Sequence, residues 1–163
     1  LQKLDYKILN VITWQKTNPP PNFSCRYLTH STEQIIWARK SEKFKHIFNY
    51  ELMKKINDGK QMKDVWSFPA IAPWEKACGK HPTQKPLALL ARLILAASNE
   101  DSVICDPFAG SSTTGIAANL LGRKFVGIEK EREFIEISIN RKSELDANFD
   151  LFRRRILDIN KLD

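Results

Sequence analysis

The chain has 163 residues, 42% of them hydrophobic and 10% aromatic, with a formal net charge of +7. That length and balance suit one globular domain with a packed core, and without a run of about 18 apolar residues no membrane-spanning helix is expected. The positive excess favours a polyanionic partner, as nucleic acid is. Cys25, Cys78 and Cys105 are isolated and odd in number, and His30, His46 and His81 show no ligand spacing. Neither a disulfide framework nor a zinc site is therefore expected. The first residues, Leu1 to Asp5, lack the apolar core of a signal peptide, which gives a cytoplasmic reading.

In chain order, residues 8–14 and 31–38 read as strands. Between them Asn18-Pro19-Pro20-Pro21 reads as a rigid polyproline-like loop. Residues 41–64 form a polar, basic connector that carries Lys43, Lys45, Lys54, Lys55, Lys60 and Lys63. A short helix is expected there over 50–57, stopped near Gly59. Pro86 suits the first turn of a helix whose Leu87, Leu90, Ala91 and Ile94 make an apolar stripe. A strand over 103–105, extended by Asp106, leads into a turn and a helix over 113–121, which Gly122 caps. Another strand, 125–128, ends at Glu129. Residues 131–145 are expected to be helical despite the alternation of Ile135, Ile137 and Ile139, because of their length and Glu/Lys/Arg content. The tail with Arg153-Arg154-Arg155 reads as a solvated helix face or a subunit contact.

The most informative stretch is Asp106-Pro107-Phe108-Ala109-Gly110-Ser111-Ser112-Thr113-Thr114, which joins a strand to a helix through a turn of small residues. With so little side-chain bulk, a ligand can lie against the backbone N–H groups at the helix start. A phosphate loop would need a Lys between Gly110 and Gly115, and none is present. An acid at the strand end, Asp106, repels phosphate and welcomes a cation. Glu129 at the tip of the following strand, about 20 residues on, is placed to grip ribose hydroxyls. A nucleoside with an amino group and a positive sulfur fits these demands, and S-adenosylmethionine is such a molecule.

His81-Pro82-Thr83-Gln84-Lys85-Pro86 lies just upstream. The pair HPTQKP and DPFAGSSTT, in this order and spacing, resembles the β-class amino-methyltransferases of DNA, which methylate adenine N6 or cytosine N4. The likeness extends through Gly127-Ile128-Glu129 and, more loosely, back through Trp66-Ser67-Phe68-Pro69 to the start. It implies an α/β, Rossmann-like, S-adenosylmethionine-dependent methyltransferase fold and a site-specific enzyme of a restriction–modification system. Double-stranded DNA is the implied partner, and adenine the expected target. Residues 1–163 would form one partial domain, 81–145 its cofactor-binding half, and 41–64 a DNA-recognition insertion.

The resemblance, with chemical fit, suggests roles. Asp106 suits the ammonium of the cofactor and Lys85 its carboxylate. Thr83 and Thr113 offer hydroxyls. Phe108, Ala109, Gly110, Ser111 and Ser112 form the floor, and Glu129 takes the ribose. His81 is expected to shape its turn by hydrogen bonds. Ser112 stands where the family has a second Gly; if that position needs φ > 0, Ser costs about 1–2 kcal/mol.

One part of the family pattern is missing. No [DNS]-P-P-[YFW] tetrapeptide occurs, and in Asn18-Pro19-Pro20-Pro21 the last residue has no π face to stack on a flipped base. The chain then resembles the C-terminal portion of a methyltransferase. The strands that carry the catalytic motif would lie between its first two strands and its last two, so the four could not form one continuous sheet. Open edges of that kind call for a complementing N-terminal segment, a homodimer or a rearranged sheet. Other readings are a non-catalytic remnant that binds cofactor or DNA, a methyltransferase for RNA, protein or a small molecule, and a phosphate-binding nucleotide protein.

Overall fold

The computed structural model describes residues 2–41, 43, 45–79 and 81–162. Glu42 and Phe44 of the 41–64 segment lie outside the described residues. Among the described residues, five strands and five α-helices follow one another: β1 Lys7–Lys16, β2 Thr32–Arg39, α1 Tyr50–Ile56, β3 Val65–Phe68, α2 Leu87–Ala97, β4 Val103–Asp106, α3 Thr113–Leu120, β5 Lys124–Gly127, α4 Arg132–Ala147 and α5 Phe149–Ile159.

The strands form two separate sheets. The first has the order β2-β1-β3, with β1 antiparallel to β2 and parallel to β3; the second is the parallel pair β4-β5. The gap expected from the strand inventory is thus present. Strand β3 is new relative to the sequence reading. Its four residues alternate, with Trp66 and Phe68 buried and Val65 and Ser67 exposed, but so short an alternation between turn residues carries little signal.

Helix α2 sits between the sheets. Leu87, Ala91, Ile94, Leu95 and Ala96 enter a core shared with α1, α3, α4 and α5, while Ala88 and Leu89 pack on Ile12, Trp14, Trp66 and Phe68 of the first sheet. A single stripe through Leu87, Leu90, Ala91 and Ile94 therefore understates the burial, since seven of the eleven residues are buried. A helix apolar all round belongs inside a protein. Asn160, 0% exposed, ties the end of α5 to α2: its Nδ2 donates to Ala88 O at 3.3 Å and its Oδ1 accepts from Arg92 Nε at 2.9 Å.

Helix α5 is no free tail. Phe152 and Ile156 are buried and Arg155 lies over the Trp74 ring at 4.9 Å, leaving Arg153 and Arg154 in solvent. The 41–64 segment is likewise half built into the core, since α1 buries Met53 and Ile56, and Asn49 Nδ2 donates to Leu95 O and Ser98 O at 2.7 and 2.8 Å. Lys43, Lys45, Lys55, Lys60 and Lys63 remain exposed. No helix among the described residues is long and apolar enough to cross a membrane.

Candidate functional site

The parallel pairing of β4 with β5 sets Asp106 opposite Gly127, so the two strands end side by side. From there the backbone closes on itself: Ile128 N donates to Asp106 O and Ala109 N to Ile128 O, each at 2.9 Å. Asp106 Oδ1 accepts the Phe108 N–H at 3.0 Å, and its Oδ2 accepts the Thr114 hydroxyl at 2.6 Å. The carboxylate thus clamps both ends of the turn. Gly110 and Ser112 both take left-handed backbone, at φ 53° and 58°. Gly110 has a second reason to lack a side chain, because a Cβ there would stand 3.1 Å from His81 Nε2.

Glu129 faces this turn. Its Oε2 accepts the Gly110 N–H at 2.8 Å and its Oε1 the N–H groups of Lys130 and Glu131 at 2.9 and 3.0 Å. Those backbone donors, Glu131 first, hold its carboxyl below the ordinary carboxylate value. The HPTQKP segment approaches from the other side. Thr83 N donates to His81 Nδ1 at 3.2 Å, the turn-shaping role expected for that histidine, and the His81 ring meets Phe134 edge-on at 4.2 Å. Lys85 Nζ pairs with Glu33 Oε2 at 2.7 Å, while Lys16 holds the other Glu33 oxygen at 2.9 Å.

Two cavities flank the turn. One, of about 210 Å³, is lined by Thr83, Lys85, Asp106, Phe108, Ala109, Gly110, Ser111 and Thr113, with His81, Gln84, Leu90 and Thr114. The other, of about 450 Å³, is lined by Ala109, Ser112 and Glu129 with Phe125, Gly127, Ile135, Ser138, Ile139, Lys142 and Ser143. Ala109 belongs to both, so the ten residues singled out in the sequence gather around two adjoining hollows. Phe108 stands 88% exposed at the rim.

Sequence reasoning missed the layer behind the turn. Arg141, 5% exposed, donates from Nη1 to Ser111 O at 2.6 Å. Gln84 links Ser111 Oγ, which donates to its Oε1 at 3.3 Å, to Glu75 O, which accepts from its Nε2 at 2.9 Å. Buried Glu75 accepts the Leu87 and Ala72 N–H groups at 2.7 and 3.2 Å, and burial pushes its carboxyl above the ordinary value. A signal for Arg141 existed: Phe134, Ser138, Arg141 and Leu145 share one helix face, so a charge stands in a stripe that ends in a fully buried leucine.

Comparison with known proteins gives a consistent picture. The chain is 60% identical over 145 residues to the Type II methyltransferase M2.MboI of Moraxella bovis, covering 89% of this chain and 53% of that one. Against M2.DpnII of Streptococcus pneumoniae it is 58% identical over 150 residues, covering 91% and 56%. It therefore spans about half the length of the curated relatives it matches. Among solved structures, the M1.HpyAVI–SAM complex superposes with a TM-score of 0.73 at 34% identity over 86% of this chain and 64% of that one. The cytosine-N4-specific PvuII methyltransferase, at 21% identity and a TM-score of 0.68 over 93% and 55% of the two chains, shares the fold. The profile of the DNA methylase family N6_N4_Mtase matches residues 1–140, and this chain belongs to that family.

Proposed function

We propose that this chain is the C-terminal, cofactor-binding portion of a site-specific DNA methyltransferase. The reaction transfers a methyl group from S-adenosylmethionine to an exocyclic amino group of double-stranded DNA, adenine N6, within a restriction–modification system. One observation carries the reading: Thr83, Lys85, Asp106 and the small-residue turn line a single cavity, and Glu129 is joined to that same turn through the Gly110 N–H.

The donor set fits the cofactor. Each Asp106 oxygen has one partner above, which leaves lone pairs for an ammonium. Glu129 Oε2 has one backbone partner and room for a ribose hydroxyl. Taken together, the two hollows fall in the range of small-molecule sites, about 300–1,000 Å³. The likeness to a SAM complex supports the same ligand. When bound, the cofactor supplies an electrophilic methyl on sulfur; the residues of this chain bind and orient it, and positioning of that kind carries much of the rate. Residues 81–145 form the cofactor-binding half, and the exposed lysines of 41–64 suit contact with the DNA backbone.

The acceptor base requires a second part, because no [DNS]-P-P-[YFW] motif lies in the chain. The gap between the sheets and the half-length match to the relatives support a complementing methyltransferase segment that brings this motif. A labelled-methyl assay on unmethylated duplex DNA tests the proposal, with this chain alone and with the segment it lacks relative to M2.DpnII. Label in adenine only when both parts are present is the expected result. Label from the chain alone would count against a split site. Cofactor binding without transfer, even with both parts, would make the chain a binding remnant.

A further inference from the structure

The loop between β1 and β2 carries the two most exposed large apolar side chains among the described residues, Phe23 at 91% and Leu28 at 90%. Its polar groups hold it in shape. Asn22 Nδ2 donates to Tyr27 O at 2.7 Å, and Asn22 Oδ1 accepts from Ser24 N at 3.0 Å and from Ser24 Oγ at 2.8 Å. At the stem, Lys16 N donates to Ser31 O and Ala70 N to Asn18 Oδ1, each at 2.7 Å. Pro19-Pro20-Pro21 stiffens the limb that leaves β1. The apolar tips are left in water, where they forgo the burial that ordinarily stabilises such side chains. A loop already shaped in this way loses little freedom when it meets a partner.

Charge and position select the partner. Residues 17–32 contain Arg26 and His30 but no Asp or Glu, and Lys16 flanks them. A cationic loop without acids suits a polyanion. Glu33, at the foot of the loop, pairs with Lys85 at 2.7 Å, and Lys85 lines the 210 Å³ cavity with Asp106 and Phe108. The loop therefore springs from beside that cavity. An amino group on a base inside a duplex is out of reach until the base leaves the stack. Phe and Leu side chains can open a stack by entering between base steps.

We propose that residues 22–30 form a DNA wedge: Phe23 and Leu28 enter the base stack beside the target, and Arg26 holds a flanking phosphate. The proposal rests on the DNA-methyltransferase reading. A protein surface would match the apolar tips alone, whereas duplex DNA matches the tips and the cation between them.

Fluorescence anisotropy with the whole chain tests this, on an intact labelled duplex and on one opened by a central mismatch. Phe23→Ala should weaken binding to the intact duplex about fivefold or more, as loss of one base–aromatic contact does. Leu28→Ala should act in the same sense. Both losses should shrink on the mismatched duplex, where the stack is already loosened. Arg26→Ala should weaken both duplexes alike and reduce the salt slope by about one. With tips so exposed, the variants should keep the parent's urea midpoint. An unchanged affinity of the Phe23→Ala, Leu28→Ala double variant for the intact duplex would overturn the wedge, and so would equal losses on both duplexes. A parent chain that binds neither duplex, alone or with the complementing segment, would instead overturn the DNA reading. Cys25, exposed between the tips, reports what covers them. DNA should slow its alkylation and the complementing segment alone should not; protection by that segment alone would make the loop a protein contact and overturn the proposal.

Discussion

Glu75 Oε2 accepts the backbone N–H of Leu87 at 2.7 Å, so a buried carboxylate satisfies the first turn of the central helix. Pro86 precedes that turn and has no N–H of its own, and no cap side chain is supplied by it. Through its other oxygen Glu75 also holds the Ala72 N–H. Glu75→Ala would leave both amides unpaired and should cost about 1–3 kcal/mol for each that stays buried. Urea unfolding of the two proteins reads this directly.

The same residue predicts a pH dependence. Burial raises the Glu75 carboxyl above its ordinary value of 4.5 in the folded chain. The folded state therefore holds the proton more tightly than the unfolded one. The contribution is full below pH 4.5 and is lost as pH rises through the higher folded value. In Glu75→Gln that slope should vanish, so the stability difference between variant and parent should change with pH in this window. Parallel curves across it would show that Glu75 does not titrate differently on folding.

Ser112 gives a prediction in the opposite direction. Its φ of 58° lies in the left-handed region, where a Cβ costs about 1–2 kcal/mol. Ser112→Gly removes that strain but adds freedom to the unfolded chain. The net should be a gain of up to about 1 kcal/mol, seen as a higher urea midpoint. A lower midpoint would mean that the serine side chain contributes more than its backbone strain costs.

Much of this arrangement was legible before any coordinates. The turn from Asp106 to Thr114 was recognisable because strand, small residues and helix each carry their own local signal. Whether Ser112, which stands where the resembled family has a second Gly, needs left-handed backbone was left open by the sequence, and the structure answers it with φ 58°. The rest depended on long-range packing. Glu75 reads as one more surface acid until α2 closes over it, and Arg141 as one more helix-surface base until α4 lies against the turn. The pairing of Lys85 with Glu33 joins residues 52 apart in sequence, which no local pattern reports. Strand β3 pairs in parallel with β1 across the whole connector, so its partner is invisible from its four residues.

Phe125 leads to a further test. Its ring is wedged between two glycines: a Cβ on Gly115 would stand 2.6 Å from it, and one on Gly127 2.7 Å. Gly115→Ala must displace the ring, which should cost about 1–3 kcal/mol as overpacking. Because the ring supplies two of the three nearest atoms, Phe125→Leu should recover part of the loss in a double-mutant cycle. Strictly additive losses would place the cost elsewhere, for example at Ser112 Oγ, 2.5 Å from the same Cβ.

The second sheet carries the last prediction. Parallel strands are normally covered on both faces. Here Ile104 and Phe125 pack toward the core, while Val103, Val126 and Ile128 stand 62%, 51% and 57% exposed on the way to the Asp106–Thr114 turn. Two strands of four residues are also too few to hold a sheet by themselves. If the proposed complementing segment covers that face, its addition should slow amide exchange across 103–106 and 124–127 far more than across β1 and β2. Val126→Lys should block this protection and leave α2 unaffected, since Val126 points away from that helix's core. Equal protection of both sheets, or protection that survives Val126→Lys, would place the complementing segment on another surface.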